Sequence, residues 1–101
     1  MWNFRHVTEK ENELYQRVDE VLHYVWDPIG ISEIPEARGE YHSYLPVAFG
    51  LLKRGATEVE IADYLGGVTS EMMELSTNRD RDLEIAEIII DWRECLLEGD
   101  A

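Results

Sequence analysis

Apolar residues recur at helical spacing along most of this chain. The first run covers residues 8–26, where Leu14, Val18, Val21 and Val25 form a narrow stripe that Tyr15, Leu22 and Trp26 widen. Side chains three and four apart share one helix face, so the run predicts an amphipathic helix. Thr8-Glu9-Lys10-Glu11 opens it as a capping box: the Thr8 hydroxyl accepts from the third helical amide, and Glu11 reaches back to the amide of Thr8. Asp27-Pro28 closes it, because Pro28 has no amide hydrogen and disfavours helical backbone at Asp27. Gly30 can then supply the positive φ of a turn. Residues 27–39 read as one long loop, with Ile29, Ile31 and Ile34 tucked onto the helices.

A second apolar run spans residues 40–54. Tyr41, Tyr44, Leu45, Ala48, Phe49, Leu51 and Leu52 share one face, and Pro46 falls on the other. This pattern predicts one continuous helix, kinked at Pro46. The competing reading starts the helix at Pro46, with residues 40–45 as a separate turn. Gly55 suits the position just past the helix end. Thr57-Glu58-Val59-Glu60 is a second capping box. Ile61, Leu65, Val68, Met72 and Leu75 follow as a stripe that passes Gly66-Gly67 on its far side, which predicts a third helix over 58–75. A break at Gly67 is the alternative. Asp80 then reads as the N-cap of a fourth helix over 81–97. Its centre is Ile85, Ile88, Ile89, Trp92 and Leu96; Leu83, Ala86, Ile90 and Leu97 widen the apolar arc past half the circumference. One bundle face rarely needs so much, so this helix is either central or partly buried against another subunit. The expected fold is a single all-α domain over 1–101, a small four-helix bundle with one long loop between helices 1 and 2.

Charge sharpens this picture. Residues 1–56 carry nine acids and six bases, whereas residues 57–101 carry thirteen acids and three bases, which together leave −13. Such a surface repels nucleic acid and anionic membranes and attracts basic proteins. No apolar run approaches the roughly 20 residues of a membrane span. Met1-Trp2-Asn3-Phe4-Arg5-His6 lacks the basic-then-apolar order of a secretory signal. Cys95 is the lone cysteine, so it forms no internal disulfide, and a buried structural role is its default. A cytoplasmic protein is expected.

The acids of helix 4 are ordered. Glu84, Glu87, Asp91, Glu94 and Glu98 follow i, i+3, i+7, i+10, i+14 and so share one stripe. Four like-charge neighbours in succession cost roughly 1–2 kcal/mol in total. Glu94 and Glu98 also stand at the negative end of the helix dipole. Local stability does not explain the arrangement. It is either a solvated face or an acidic ridge for a basic partner, where charge steers the encounter. Trp26, Tyr41, Tyr44 and Trp92 are either core residues or interface anchors.

No chemistry stands out. His6, His23 and His42 share no pattern with Cys95, so neither a zinc site nor a thiol–histidine pair is suggested. The acids Asp27, Glu33, Glu36 and Glu40 around the loop match no calcium-loop spacing. Gly66-Gly67 lacks the flanks of a phosphate loop. No catalytic residue, cofactor or metal is expected. Arg93 falls inside the apolar arc of helix 4, where it either extends to water or pairs with a carboxylate such as Asp27.

Residues 22–75 carry an ordered set of motifs: Trp26-Asp27-Pro28-Ile29-Gly30, Glu40-Tyr41 with Tyr44, Leu51-Leu52 before Gly55, and Glu60-Ile61-Ala62 with Tyr64-Leu65. This W-D-P-I-G … E-Y-x-x-Y pattern resembles a family of small all-helical bacterial proteins of unknown function. The chain departs from it at Gly66-Gly67, where larger residues are usual. The resemblance implies a helical bundle and brings no activity. For its shared residues an architectural role is expected: Trp26 closing the bundle end, Asp27 bonding the loop, Tyr41 and Tyr44 pinning the loop's return. Some small acidic helical proteins are immunity proteins to secreted toxins. The expected function is therefore a non-enzymatic protein-binding module, in its sharpest form an immunity protein or antitoxin against a basic nuclease-type toxin. The alternative is a structural or regulatory protein that self-associates, as a homodimer, through helix 4.

Overall fold

Two capping boxes set the starts of two helices. The computed structural model describes residues 8–98, and every element in that span is helical. Helix α1 (Glu9–Glu20) begins where Thr8 Oγ1 accepts from the Glu11 amide and Glu11 accepts from the Thr8 amide, both at 3.0 Å. Helix α3 (Glu58–Gly67) begins in the same way at Thr57 and Glu60. Helix α2 runs Leu45–Lys53 and helix α4 runs Arg79–Arg93. The radius of gyration, 13.3 Å, is that of a compact fold of about 100 residues.

A continuous helix over 40–54 does not form. Pro46 occupies the first turn of α2 instead, where its missing amide hydrogen costs no ladder bond. The chain before it, from Asp27 to Tyr44, is a series of tight turns around a 3₁₀ turn at Pro35–Ala37. Gly30 and Gly55 take φ of 78° and 83°, as the turns at those points require. Helix α4 starts two residues before the expected boundary: Asn78, not Asp80, is the cap, and its Oδ1 accepts from the Arg81 amide at 3.1 Å. Asn and Asp cap equally well, so residue type alone did not separate them.

Three helices continue into π-helical turns: Val21–Trp26 after α1, Val68–Met72 after α3, and Glu94–Glu98 after α4. These turns close through i→i−5 bonds, such as Asp27 N to Leu22 O and Met73 N to Val68 O, both 3.1 Å. The wider turn rotates the side chains that follow. It carries Trp26 onto the core face and leaves Val25 at the margin. After α3 it brings Thr69 and Met73 inward and turns Met72 out to 69% exposure. A regular helix would bury Met72, as the stripe predicts. A local cause is visible at α3, where Thr69 Oγ1 donates to the Leu65 carbonyl at 2.9 Å and competes for an acceptor of the helical ladder. The chain nevertheless passes Gly66-Gly67 without a break, and Gly67 keeps helical backbone.

Helix α4 touches α1, α2 and α3, and packs most extensively along α3. Ile85, Ala86 and Ile89 have no solvent exposure and Ile90 has little, while Leu83, Ile88, Trp92, Leu96 and Leu97 pack at the core's edge. A central place in the chain thus takes up the middle of the apolar arc and leaves its margins part-buried. Phe49 is the largest fully buried side chain, and it meets Tyr15 edge-on at 5.2 Å.

Candidate functional site

The ridge of α4 faces solvent. Glu84, Glu87, Asp91 and Glu94 are all exposed, and the side chain of Glu98 lies outside the described residues. Compensation is slight. Arg81 stands 3.9 Å from Glu84 and Arg93 stands 4.0 Å from Glu94, at the limit of an ion pair. Beside the ridge is a shallow, mainly apolar hollow of about 300 Å³, lined by Ile88, Asp91, Trp92 and Cys95. Asp91 therefore belongs to both ridge and hollow. Cys95 is exposed rather than buried, because it falls between the core face of α4 and the ridge. The Arg17 guanidinium lies 6.0 Å from the centre of the Trp92 ring, a cation–π distance.

Arg93 does not pair with Asp27. It turns toward the end of α2 and donates to the carbonyls of Leu52 and Ala56, each at 3.3 Å. A cation is favoured there by the helix dipole.

Asp27 bonds its own loop. Its φ of 34° is left-handed, a region that Asp tolerates better than most residues. Oδ1 accepts from the amides of Gly30 and Ile31 at 3.1 and 2.8 Å, and Oδ2 accepts from Ser32 at 3.1 Å. The Tyr41 hydroxyl donates to Oδ1 at 2.8 Å and accepts from the Ile29 amide at 3.0 Å. Burial pushes the Asp27 pKa up, but the bonds from Ile31, Tyr41 and Ser32 outweigh it and hold the pKa below its usual value. Burial, and then the neighbouring Asp27 carboxylate, push the Tyr41 hydroxyl well above the usual tyrosine range. Tyr41 thus pins the loop as expected. Tyr44 does so only through its backbone, whose carbonyl accepts from the Tyr64 hydroxyl at 3.4 Å.

Trp26 is closed in from the other side by the first turn of α4. Its indole Nε1–H donates to Asp82 Oδ1 at 3.1 Å, and Arg81 donates to the Val25 carbonyl. Asp82 is 4% exposed, and its Oδ2 would stand 3.4 Å from a Cβ at Gly66, in van der Waals contact. Burial raises the Asp82 pKa, against the opposing pull of Trp26 and Arg79. A carboxylate whose folded pKa is raised contributes stability below its unfolded pKa and loses it as pH rises through the folded value. Asp82→Asn keeps an acceptor for Trp26 and removes that loss. We expect its urea midpoint to exceed the parent's at pH 7 and to match it near pH 3, where the carboxyl is neutral in both states. A midpoint advantage unchanged between those pH values would show that the Asp82 charge is not the cause.

Among the described residues no three histidines, cysteines or carboxylates group at metal-binding distance. His23 is buried and His42 lies 3.2 Å from Asp19, while His6 lies outside the described span. Trp26 and Tyr41 are core residues, whereas Tyr44 and Trp92 are only part-buried. No helix in the described span is long and apolar enough to cross a membrane. No protein-family model, curated protein or solved structure matches this chain. The likeness to a helical bacterial family rests on the quoted motifs alone.

Proposed function

We propose that this chain is a non-enzymatic, acidic protein-binding module that docks a basic protein through the α4 ridge. The carrying observation is the pairing of exposed Glu84, Glu87, Asp91 and Glu94 with the apolar hollow of Ile88 and Trp92. An aromatic anchor beside a charged rim is the anatomy of many protein interfaces. The sharpest form of this reading is a cytoplasmic immunity protein or antitoxin, with Glu98 extending the ridge and a basic nuclease-type toxin as the target. The alternative is self-association through α4, for which the same part-buried Ile88 and Trp92 would supply the contact.

Capture from a lysate of the source cell, at low and high salt, tests it. The screening length falls from about 10 Å at 0.1 M salt to about 3 Å at 1 M, so a steered complex weakens. A basic protein is expected to be retained at low salt by the parent chain. Glu87→Gln, Asp91→Gln and Glu94→Gln together should lower its association rate about tenfold or more. The same triple variant should stabilise the isolated chain by about 1 kcal/mol, because four like-charge neighbours are relieved. Retention that ignores both salt and the triple substitution would reduce the ridge to a solvated face.

A further inference from the structure

Gly67 has no local reason to be glycine. Its backbone is helical, so no turn requires it, and a Cβ at this position would meet nothing within 4 Å. A glycine inside a helix costs about 1 kcal/mol relative to alanine. At Gly66 a Cβ would touch Asp82 Oδ2 at 3.4 Å; at Gly67 it would touch nothing, and nothing in the fold offsets that cost. What the missing side chain leaves is space. A mainly apolar hollow of about 310 Å³ opens between the entry to α2 and the end of α3, lined by Gly67 with Tyr44, Tyr64, Met72, Asp63 and Glu71. The π turn that expels Met72 from the core puts it at this hollow. The Tyr64 hydroxyl, bonded to the Tyr44 carbonyl, ties two of its walls together.

We propose that this hollow is a second docking point, shaped for an arginine side chain presented by a protein partner. The two tyrosines and Met72 suit the aliphatic stem and the flat face of a guanidinium. Glu71 supplies a carboxylate for its charge, with Asp63, already paired with Arg79, beside it. Arg79 already brings a guanidinium to Asp63, at 2.5 Å, so the rim accepts such a group. Residues 57–101, which carry α3 and α4, hold a net charge of −10 from thirteen acids and three bases, which favours a cation over an anion. A purely apolar ligand would cover Glu71 without giving its charge a partner, which is costly. None of the ridge residues lines this hollow, so the inference does not depend on the α4 reading.

The test is an NMR titration of the ¹⁵N-labelled chain with a blocked hexapeptide holding one arginine among neutral residues. Its counterpart has citrulline, which keeps the shape and removes the charge. Gly67→Leu fills the hollow without altering charge, and its better helix propensity favours folding. Saturable shifts are expected at Tyr44, Tyr64 and Met72. Affinity should fall about tenfold, or 1.4 kcal/mol, for Gly67→Leu and for the citrulline peptide. It should change less than about twofold in the α4 triple-glutamine variant, whose substitutions lie outside this hollow. Equal binding by Gly67→Leu or by the citrulline peptide would overturn the proposal. So would the same shifts arising on concentrating the protein alone, which would assign the hollow to a second copy of the chain.

Discussion

Asp27→Ala is expected to lower the stability of the chain by about 3–4 kcal/mol, a large share of what a domain of this size holds. Three donors lose their acceptor at once, the amides of Ile31 and Ser32 and the Tyr41 hydroxyl, while the Gly30 amide loses one of two and keeps the Asp27 carbonyl at 3.2 Å. Bonds to a charged acceptor are each worth up to about 1.5–3 kcal/mol. The part-exposed site lets water replace some of them, so the total stays below the sum. Alanine must also adopt a φ of 34°, which asparagine and aspartate tolerate and alanine does not. Thermal unfolding checks this: at roughly 4–8 °C per kcal/mol, the midpoint should fall by about 15–25 °C. Asp27→Asn keeps the backbone preference and Oδ1, and should cost about half as much or less. Its pH dependence carries the opposite sign from that of Asp82. The lowered Asp27 pKa contributes stability above the unfolded value of about 3.9, and that stability is lost as pH falls through the folded value. The asparagine variant should therefore converge on the parent in acid. A melting point for Asp27→Ala within a few degrees of the parent would show that the loop is held elsewhere.

The same variants separate architecture from recognition. Tyr41→Phe strips the donor to Asp27 and leaves the Ile29 amide without its acceptor, so its cost should couple to that of Asp27→Ala rather than add to it. Tyr44→Phe should cost little, since the Tyr44 hydroxyl holds nothing in the loop. If Asp27→Asn and Tyr44→Phe left stability untouched but abolished partner binding, the shared motif would be a binding surface and not a clamp.

How far the fold was legible depended on how local its causes are. Both capping boxes, the stop at Pro28 and the positive φ of Gly30 and Gly55 follow from rules that act within a few residues, and each is present. Pro46 was legible too, but the apolar face of 40–54 argued against it, and backbone chemistry prevailed over periodicity. The π turns left no mark in the spacing. A stripe at 3.6 residues per turn assigned Met72 to the core, and one extra residue per turn gave that place to Met73. Asp82 could not be read as a buried partner of Trp26, because 56 positions separate them and nothing local marks an acid as internal. The exposure of Glu84, Glu87, Asp91 and Glu94 was legible from spacing; the hollow beside them needed the packing of Trp92 and Ile88 to be known. The hollow at Gly67 was hidden for the same reason, since a glycine on a far face looks only like a weak point.

Trp26→Ala should be more damaging still, at about 4–5 kcal/mol, and it tests whether the bundle end is organised around this residue. Truncating a buried tryptophan to alanine costs about 3–5 kcal/mol through lost burial and the cavity left behind. Here the indole also supplies the side-chain hydrogen bond to Asp82, which is 4% exposed. Its removal strands a buried carboxylate, adding about 1–3 kcal/mol before relaxation. The tilted contact of Trp26 with Tyr41, centroids 5.5 Å apart, is lost as well, and with it support for the residue that pins the loop. Because such a variant can fall below the folding threshold, Trp26→Phe is the sharper instrument. It keeps an aromatic ring in the core and removes the indole donor together with part of the bicycle. Its cost should be about 2 kcal/mol at pH 7 and smaller near pH 3, since burial penalises the charged form and a neutral carboxyl is cheaper to bury. Adding Asp82→Leu to Trp26→Phe replaces both partners by apolar groups, which can be nearly neutral where removing one partner is not. The double variant should therefore recover at least about half of the loss in a urea titration. Recovery would show that the damage in Trp26→Phe comes from the abandoned carboxylate. If the double variant were as unstable as the sum of the singles, the indole would matter through its shape alone, and the Asp82 bond would be incidental.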